Sequence, residues 1–418
     1  MHSRIFRLAA ALSFTALSGC ATIGHQLLGT NAGPDASLGQ NAAPPSVFGY
    51  AVADEPQAAL IGRQVLNQGG NAADAAAAEG FAMAVTLPSR ASLGGGGACL
   101  VRMPDAKGNM QPPVALLFPA GSPAAESGDR PAAVPTMARG LLALQAGYGQ
   151  LPQSAVIVPA ERLAASAQLS PALESDLTVV GSALLADPAA AAVFAPGGTM
   201  LPAGANLQQP DLAATLETLR VQGVQGFYAG SYARQFAAAA QEAGGGLTVE
   251  DLASAKPHIE PAVTGTADGY ATASLPVSTP AMETLPASAS FMALDKNGGA
   301  VICVTSLNNL FGTGRIAPGT GVVLAASPHS NPVPDLAAAM AYTSGGAFHA
   351  AASGTGQSAA AQAAQAGLTN ALAGHPGVPV PEPGRANVIS CPGGVPGGEG
   401  SCTAAADARG QGLAVGGR

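Results

Sequence analysis

Two serines in the second half of the chain are the first candidates for chemistry. Ser288 and Ser290 come directly before the apolar run at residues 291–294, and a hydroxyl there can attack an acyl carbon once a base takes its proton. On the local sequence alone both are also typical of ordinary serines at a strand edge, because they follow Pro286 and no recognised motif surrounds them. Both interpretations remain open at this point.

Other catalytic motifs are incomplete. Residues 312–314 and 354–356 each begin a dinucleotide-binding G-x-G pattern, yet neither continues into a strand-turn-helix unit with an acid further on. The sequence has no phosphate-loop lysine motif and no G-x-S-x-G elbow. Its six histidines stand singly, without H-E-x-x-H or C-x-x-C spacing, so we expect no metal site.

The composition excludes further classes of protein. Of 418 residues, 17 are Lys or Arg and 25 are Asp or Glu, for a net charge of -8, so no basic stripe exists to neutralise phosphates. Nucleic-acid binding is therefore not expected. Gly and Pro are frequent, at 55 and 34 residues, but they follow no period and alternate with apolar runs, which excludes a collagen-like or wholly disordered chain.

The first twenty residues have the layout of a secretion signal. Two arginines, Arg4 and Arg7, precede an apolar stretch at residues 8–17 that is too short to span a bilayer. A small-residue site then ends in Cys20, which is typical of a bacterial lipoprotein whose cysteine becomes the lipid-modified N-terminus. An ordinary cleaved signal with an incidental cysteine is the alternative. Either signal predicts export to the periplasm, and the residue after Cys20 favours an outer-membrane anchor.

The remaining cysteines fall into two pairs. Cys99 and Cys303 lie inside apolar runs, which favours small core residues over reactive thiols. Cys391 and Cys402 flank a Gly- and Pro-rich loop near the C-terminus, and in an oxidising compartment a loop-closing disulfide between them is expected.

The elements that must position the candidate serines change character along the chain. Residues 21–47 are rich in small and polar types and predict a flexible tether. Before about residue 260 the apolar spacing and the capping residues predict mainly helices. From residue 291 onward, short apolar runs bounded by glycine-rich turns predict consecutive strands. The expected fold class is therefore α+β, with helices first and sheet later.

A set of short segments, all in one order, resembles a known family. They are residues 67–76 (NQGGNAADAA), 94–97 (GGGG), 148–152 (YGQLP), 209–212 (QPDL), 227–230 (FYAG), 245–252 (GGLTVEDL), 309–314 (NLFGTG) and 318–321 (PGTG). Each alone is weak, but together and collinear they resemble the γ-glutamyltransferase family of N-terminal-nucleophile hydrolases. The resemblance covers about residues 50–415.

The family resemblance implies a four-layer αββα sandwich, in which helices cover two stacked antiparallel sheets. It also implies a division into the signal (1–20), the tether (21–47), a large-subunit region (48–287) and a small-subunit region (288–418). The precursor of such a protein cuts itself. The large and small chains of one precursor would therefore be each other's partners.

The same resemblance implies the nucleophile. In the family an aromatic residue, a strand and an Asp-x-x-Gly turn follow the nucleophile, and here Phe291 and residues 295–298 supply these landmarks. Counting back three residues from Phe291 gives Ser288, with cleavage after Ala287. The freed α-amine would act as base, so a serine is adequate and no cofactor is needed. The expected reaction cleaves γ-glutamyl, glutathione-type or related amides through an acyl-enzyme, with Ser290 as the alternative nucleophile.

Further site residues follow from the resemblance by position. Ser306 falls where the family has a second hydroxyl beside the nucleophile, and Asn308 where it has an asparagine that contacts the substrate's α-amino group. Thr355 and Gly356 fall on the family's Gly-Gly pair, whose backbone N–H groups stabilise the oxyanion. The alternative for Ser306 and Asn308 is a satisfied pair at a strand end.

The sequence departs from the family where the family binds its glutamate. Phe118 is followed by Pro119 instead of the arginine that holds the α-carboxylate. Alanines at 338–339 replace a serine pair, and Ser330 replaces an aspartate. The segment before Ser288 is also shortened, with eleven residues after Pro276. Two hypotheses follow: an active enzyme for a small-molecule amide, or a degenerate family member that serves as an envelope-anchored binding scaffold and touches the membrane only through its lipid.

Overall fold

The computed structural model describes residues 47–276 and 288–417. Within these ranges the helices, numbered in chain order, are α1 (Pro56–Asn67), α2 (Ala72–Thr86), α3 (Met137–Tyr148), α4 (Gln153–Ala165), α5 (Pro171–Leu184), α6 (Pro188–Phe194), α7 (Pro210–Tyr228), α8 (Gly230–Glu242), α9 (Val249–Ser254) and α10 (Ala360–Leu372). The strands are β1 (Gly49–Ala53), β2 (Gly96–Arg102), β3 (Val114–Phe118), β4 (Ala167–Gln168), β5 (Asn206–Leu207), β6 (His258–Pro261), β7 (Val263–Ala267), β8 (Tyr270–Ser274), β9 (Ser288–Asp295), β10 (Ala300–Ser306), β11 (Ile316–Ala317), β12 (Val322–Val323), β13 (Ala337–Tyr342), β14 (Phe348–Thr355), β15 (Arg385–Val395), β16 (Thr403–Ala405) and β17 (Leu413–Gly417).

Two antiparallel sheets form the centre of the molecule. One has the strand order β17-β1-β9-β10-β2-β3-β6 and the other has the order β16-β15-β14-β13-β8-β7. Both sheets contain strands from before residue 277 and from after residue 287, since β1 lies between β17 and β9, and β8 pairs with β13. The two regions expected from the sequence therefore share one sandwich.

Side-chain alternation along β9 defines the layers. Phe291 and Ala293 belong to the core on the helical side, whereas Met292 and Leu294 belong to the core between the sheets. Helices α1 to α9 lie on the first sheet's side, and α10 covers the outer face of the second sheet through contacts such as Leu368. The expected four-layer αββα sandwich and α+β class are confirmed.

Helix α2 lies in the middle of the helical layer, and its sequence explains how it fits there. Asn71 caps it by accepting hydrogen bonds from the N–H groups of Ala73 (3.0 Å) and Asp74 (3.1 Å), while the Asp74 carboxylate accepts the Asn71 N–H at 3.1 Å. Every residue of α2 is buried. Its many alanines allow close approach of α1, α4 and the first sheet, so this helix packs directly against that sheet.

The cysteines of both pairs are bonded. Cys99 in β2 and Cys303 in β10 lie directly opposite each other and form a disulfide, whereas the sequence suggested two separate core residues. A second disulfide joins Cys391 to Cys402 across the Gly- and Pro-rich loop.

No helix in the described ranges combines the length and the apolar character that a membrane crossing requires. Cys20, Ala287 and nearly all of the proposed tether lie outside the described residues.

Candidate active site

Ser288 is the first residue of β9 and lies at one end of the space between the two sheets. It is buried, and it shares a strand face with Ser290, Met292 and Leu294, the last two of which pack in the core between the sheets. Ser290 shows the same orientation directly, because its hydroxyl is 2.8 Å from that of Ser353 in the opposite sheet. The face of β9 that carries Ser288 and Ser290 therefore points toward the second sheet.

Ser306 is the residue directly opposite Ser288 on the neighbouring strand β10. Its hydroxyl accepts the Asn308 N–H at 2.9 Å, which fixes the turn that leaves the strand. Asn308 itself adopts a left-handed backbone with φ of 62°, a conformation that asparagine tolerates better than most residues. Ser306 and Asn308 are thus brought together with Ser288 at one end of the sheet.

The Asn308 side chain is only partly paired. Its amide nitrogen donates to the Ala326 carbonyl at 2.9 Å, which leaves Oδ1 as the free end. Within residues 47–276 and 288–417, this buried oxygen accepts no hydrogen bond. A buried acceptor without a donor is unfavourable, so a ligand N–H at this position would satisfy it.

Thr355 and Gly356 face Ser288 from the second sheet. Thr355 ends β14, and Gly356 follows with φ of 112°, a conformation that L side chains rarely adopt. A Cβ on Gly356 would also lie 2.7 Å from the Pro383 carbonyl oxygen. Thr355, Gly356 and Ser288 line one cavity of about 270 Å³. The structure therefore gathers the serine and the candidate oxyanion residues around a common space.

A polar network that includes Asp54 lies beside Ser288 and was not predicted from the sequence. Asp54 Oδ2 accepts the Ser290 N–H at 2.7 Å and its hydroxyl at 3.3 Å, and Asp54 Oδ1 accepts from Asn387 Nδ2 at 2.8 Å. Asn387 also donates to the Ser290 hydroxyl at 2.9 Å. Burial raises the pKa of the Asp54 carboxyl, although the donors from Ser290 and Asn387 and the charge of Arg90 oppose the rise.

Asp54 was missed because the sequence around it has a simpler explanation. The run Asp54-Glu55-Pro56 predicts a helix start, and Glu55 does cap α1 by accepting the Ala58 N–H at 2.9 Å. The cap is thus Glu55 alone. Asp54 instead follows β1, where only the pairing of β1 with β9 brings it to Ser290.

Three arginines line the same cavity, and each is held by acids. Arg90 forms two hydrogen bonds with Asp176, one of them 2.8 Å long. Arg409 bonds Asp407 at 2.7 Å and Glu382 at 2.8 Å. Arg385, on β15, also bonds Glu382, at 2.7 Å. The cavity wall near Ser288 therefore carries guanidinium groups, and none of them is at the position after Phe118 where the family has its arginine.

The positions where the family holds its glutamate are different here. Ala338 and Ala339 are buried in β13, and the Ser330 hydroxyl donates to the Ser327 carbonyl at 3.3 Å. None of these residues lines the cavity at Ser288.

Among the described residues, no group of three His, Cys, Asp or Glu side chains gathers in a way that could hold a metal ion.

The four-layer sandwich is the fold of the N-terminal-nucleophile hydrolases. A structure of cephalosporin acylase from Bacillus halodurans shares this fold with a TM-score of 0.72 and 17% identity, over 92% of this chain and 98% of that one. A profile of the gamma-glutamyltranspeptidase family matches residues 58–287, more than half of the sequence. The chain belongs to that family.

Members of the family show how much of the chain the likeness covers. The glutathione hydrolase proenzyme of Escherichia coli (strain K12) is 34% identical over 248 residues, which are 54% of this chain and 42% of that protein. The crystal structure of Helicobacter pylori gamma-glutamyltranspeptidase matches with 30% identity and a TM-score of 0.50, over 55% of this chain and 70% of that one. The chain thus spans about two fifths of the length of the curated relative.

Proposed function

We propose that the protein is a self-cleaving hydrolase and acyltransferase for γ-glutamyl, glutathione-type or related amides, with Ser288 as the nucleophile. One observation carries the proposal: Ser288 begins a strand at the end of the inter-sheet space, opposite Ser306 and across one cavity from Thr355 and Gly356. The name of the E. coli relative, a glutathione hydrolase proenzyme, supports the reaction and the processing, and it does not favour a scaffold without turnover.

The reaction begins once cleavage after Ala287 has freed the α-amine of Ser288. That amine takes the proton from Ser288 Oγ as the oxygen attacks the amide carbon of the substrate. Backbone N–H groups of Thr355 and Gly356 stabilise the resulting oxyanion, and the amine then protonates the leaving nitrogen. Water or an amino acid resolves the acyl-enzyme. Ser306 supports the nucleophile from β10.

The substrate's acyl group carries an amine and a carboxylate in this proposal. The Oδ1 of Asn308 accepts from the amine, because it is buried and accepts no hydrogen bond from the residues that the structure describes. Arg90, Arg385 and Arg409 replace the family's missing arginine as partners for the carboxylate, since they line the cavity that holds Ser288. The positive charge of the site thus comes from other parts of the chain than in the family.

The test is intact-mass measurement and N-terminal sequencing of the protein produced without residues 1–20. We expect two chains, with the smaller beginning at Ser288. Ser288→Ala should remain one chain, whereas the matched control Ser290→Ala should still be cut. A single uncut wild-type chain would overturn the proposal, and a small chain beginning at Ser290 would move the nucleophile. The cut protein should then release the amine from a chromogenic γ-glutamyl anilide.

We further propose that Cys20 carries a lipid that holds the folded body at the periplasmic face of the outer membrane, through the tether at 21–47. The layout of residues 1–20 supports this location. Cys20→Ala should release the protein into the soluble periplasmic fraction. Retention of that variant in the membrane fraction would contradict the anchor.

A further inference from the structure

The uncut precursor lacks the base that the proposed enzyme uses. Before cleavage the nitrogen of Ser288 is part of a peptide bond, and an amide nitrogen does not accept a proton at ordinary pH. Self-cleavage, on which the proposed function rests, therefore needs another group to take the Ser288 hydroxyl proton.

Asp54 is the carboxyl group that lines the cavity together with Ser288. Both the backbone and the side chain of Asp54 are held by Ser290. The Asp54 N–H donates to the Ser290 carbonyl at 3.0 Å, and Asp54 Oδ2 accepts the Ser290 N–H at 2.7 Å. Ser290 lies two residues after Ser288 on the same face of β9, a separation of about 7 Å along a strand.

The surroundings of Asp54 suit a proton acceptor. Asp54 is only partly buried and lines the cavity, so a water can reach it. Asn387 Nδ2 donates to Asp54 Oδ1 at 2.8 Å, and the side-chain Oδ1 of Asn387 in turn accepts the Asp407 N–H at 3.1 Å. Burial raises the pKa of the carboxyl, which makes its ionised form a stronger base than an exposed aspartate.

The charged and titratable groups around this carboxyl come from several elements, and most are bound to each other. They are Glu55, Arg90, Asp176, Arg385, Asp407 and Arg409. Glu55 turns toward α1, where it accepts from the Ala58 N–H and the Thr86 hydroxyl.

We propose that Asp54 is the proton acceptor for self-cleavage. Through one water, its carboxylate takes the proton of Ser288 Oγ while Oγ bonds to the carbonyl carbon of the preceding residue. The carbon–nitrogen bond then breaks, and the proton passes to the nitrogen of Ser288, which leaves an ester at Oγ. Water hydrolyses this ester, and the products are a carboxylate on the first chain and a free hydroxyl and α-amine on Ser288.

The experiment follows the cleavage of precursor made by cell-free synthesis and chased at pH values from about 4 to 9. The wild-type rate should rise with pH and level off, with a midpoint above the ordinary aspartate pKa of about 3.9. Asp54→Asn keeps the shape of the side chain and should slow cleavage at least 100-fold, the usual contribution of a general base. Its residual rate should not show the same midpoint.

Two further variants separate a chemical from a structural effect. Asp295→Asn is the matched control, because Asp295 is also a buried carboxyl on β9 that accepts backbone N–H groups, at the opposite end of the strand. It should keep the wild-type midpoint. Asn387→Ala removes a donor to the ionised Asp54, so it should move the midpoint to higher pH.

The outcomes distinguish this inference from the proposed function. Cleavage of Asp54→Asn at the wild-type rate and midpoint would overturn the role of Asp54 while leaving the nucleophile in place. An unchanged midpoint in Asn387→Ala would also count against it. A wild-type chain that stays uncut at every pH would overturn both the self-cleavage and the role of Asp54.

Discussion

Glu79 in the middle of α2 gives the sharpest prediction for stability. Its side chain is fully buried, and neither carboxyl oxygen has a hydrogen-bond partner among the residues that the structure describes. It packs against Gly62 of α1, where any Cβ would collide with the carboxyl group. Burial raises the pKa of Glu79 well above its ordinary value. We expect Glu79→Met, which preserves the volume, to stabilise the protein.

The expected gain has two parts. An unsatisfied buried polar group costs about 1–3 kcal/mol, whatever the pH. Because the folded-state pKa is raised, the unfolded chain loses its proton first as pH rises, so folding becomes less favourable above the ordinary pKa. This second cost grows by about 1.4 kcal/mol per pH unit above about 4.3, until the folded-state pKa is passed. Glu79→Met should therefore gain about 1–3 kcal/mol at pH 4, and the gain should grow by about 1.4 kcal/mol for each pH unit between about 4.3 and the raised pKa.

The assay is urea unfolding between pH 4 and pH 8 in the Ser288→Ala chain, which cannot be cut under the proposed mechanism. Glu79→Gln should remove the pH-dependent part and keep the unsatisfied polar group. Glu217→Met is the control, because Glu217 is exposed with a surface pair to Arg220, and its effect should stay within about 0.5 kcal/mol. A less stable Glu79→Met, or an unchanged pH slope, would refute the reasoning.

Two further predictions follow from close packing and from the disulfides. Gly140→Ala should destabilise the chain by about 1–3 kcal/mol in urea unfolding, because the new methyl would overlap the ring of Phe118. The control is Gly147→Ala in the same helix, where the new methyl meets open space and should be neutral or slightly stabilising. Equal stability of the two variants would contradict this packing. After cleavage, a non-reducing gel should show one band and a reducing gel two, because Cys99 and Cys303 join the two chains; two bands without reductant, from protein whose thiols are blocked, would exclude the link.

The parts of the fold that depend on neighbours in sequence could be predicted. The capping residues Asn71 and Thr248 predict helix starts, and α2 and α9 begin directly after them. The alternation of apolar runs and glycine turns after residue 291 likewise predicts β9 and β10. Local rules suffice here because capping and turn chemistry act over three or four residues.

The parts that depend on strand register could not be predicted. The Cys99–Cys303 bond joins residues 204 positions apart, and only the pairing of β2 with β10 brings them together. Asp54 reaches Ser290 for the same reason, through the pairing of β1 with β9. The resemblance indicated Ser288 and Ser306 through family order, but it carried no information on a residue that the family motifs do not include.

Each of the two sheets is built from strands on both sides of the proposed cleavage site. In the proposed cut form, β1 of one chain remains wedged between β17 and β9 of the other, so neither product keeps a complete sheet without its partner. Cut protein would arise only from a precursor that had already assembled. Once reduction of the Cys99–Cys303 disulfide has separated the products, renaturing them would be a bimolecular reaction that depends on concentration, whereas the precursor folds as a single molecule. The Cys99–Cys303 bond therefore decides whether the cut protein refolds as one molecule or as two.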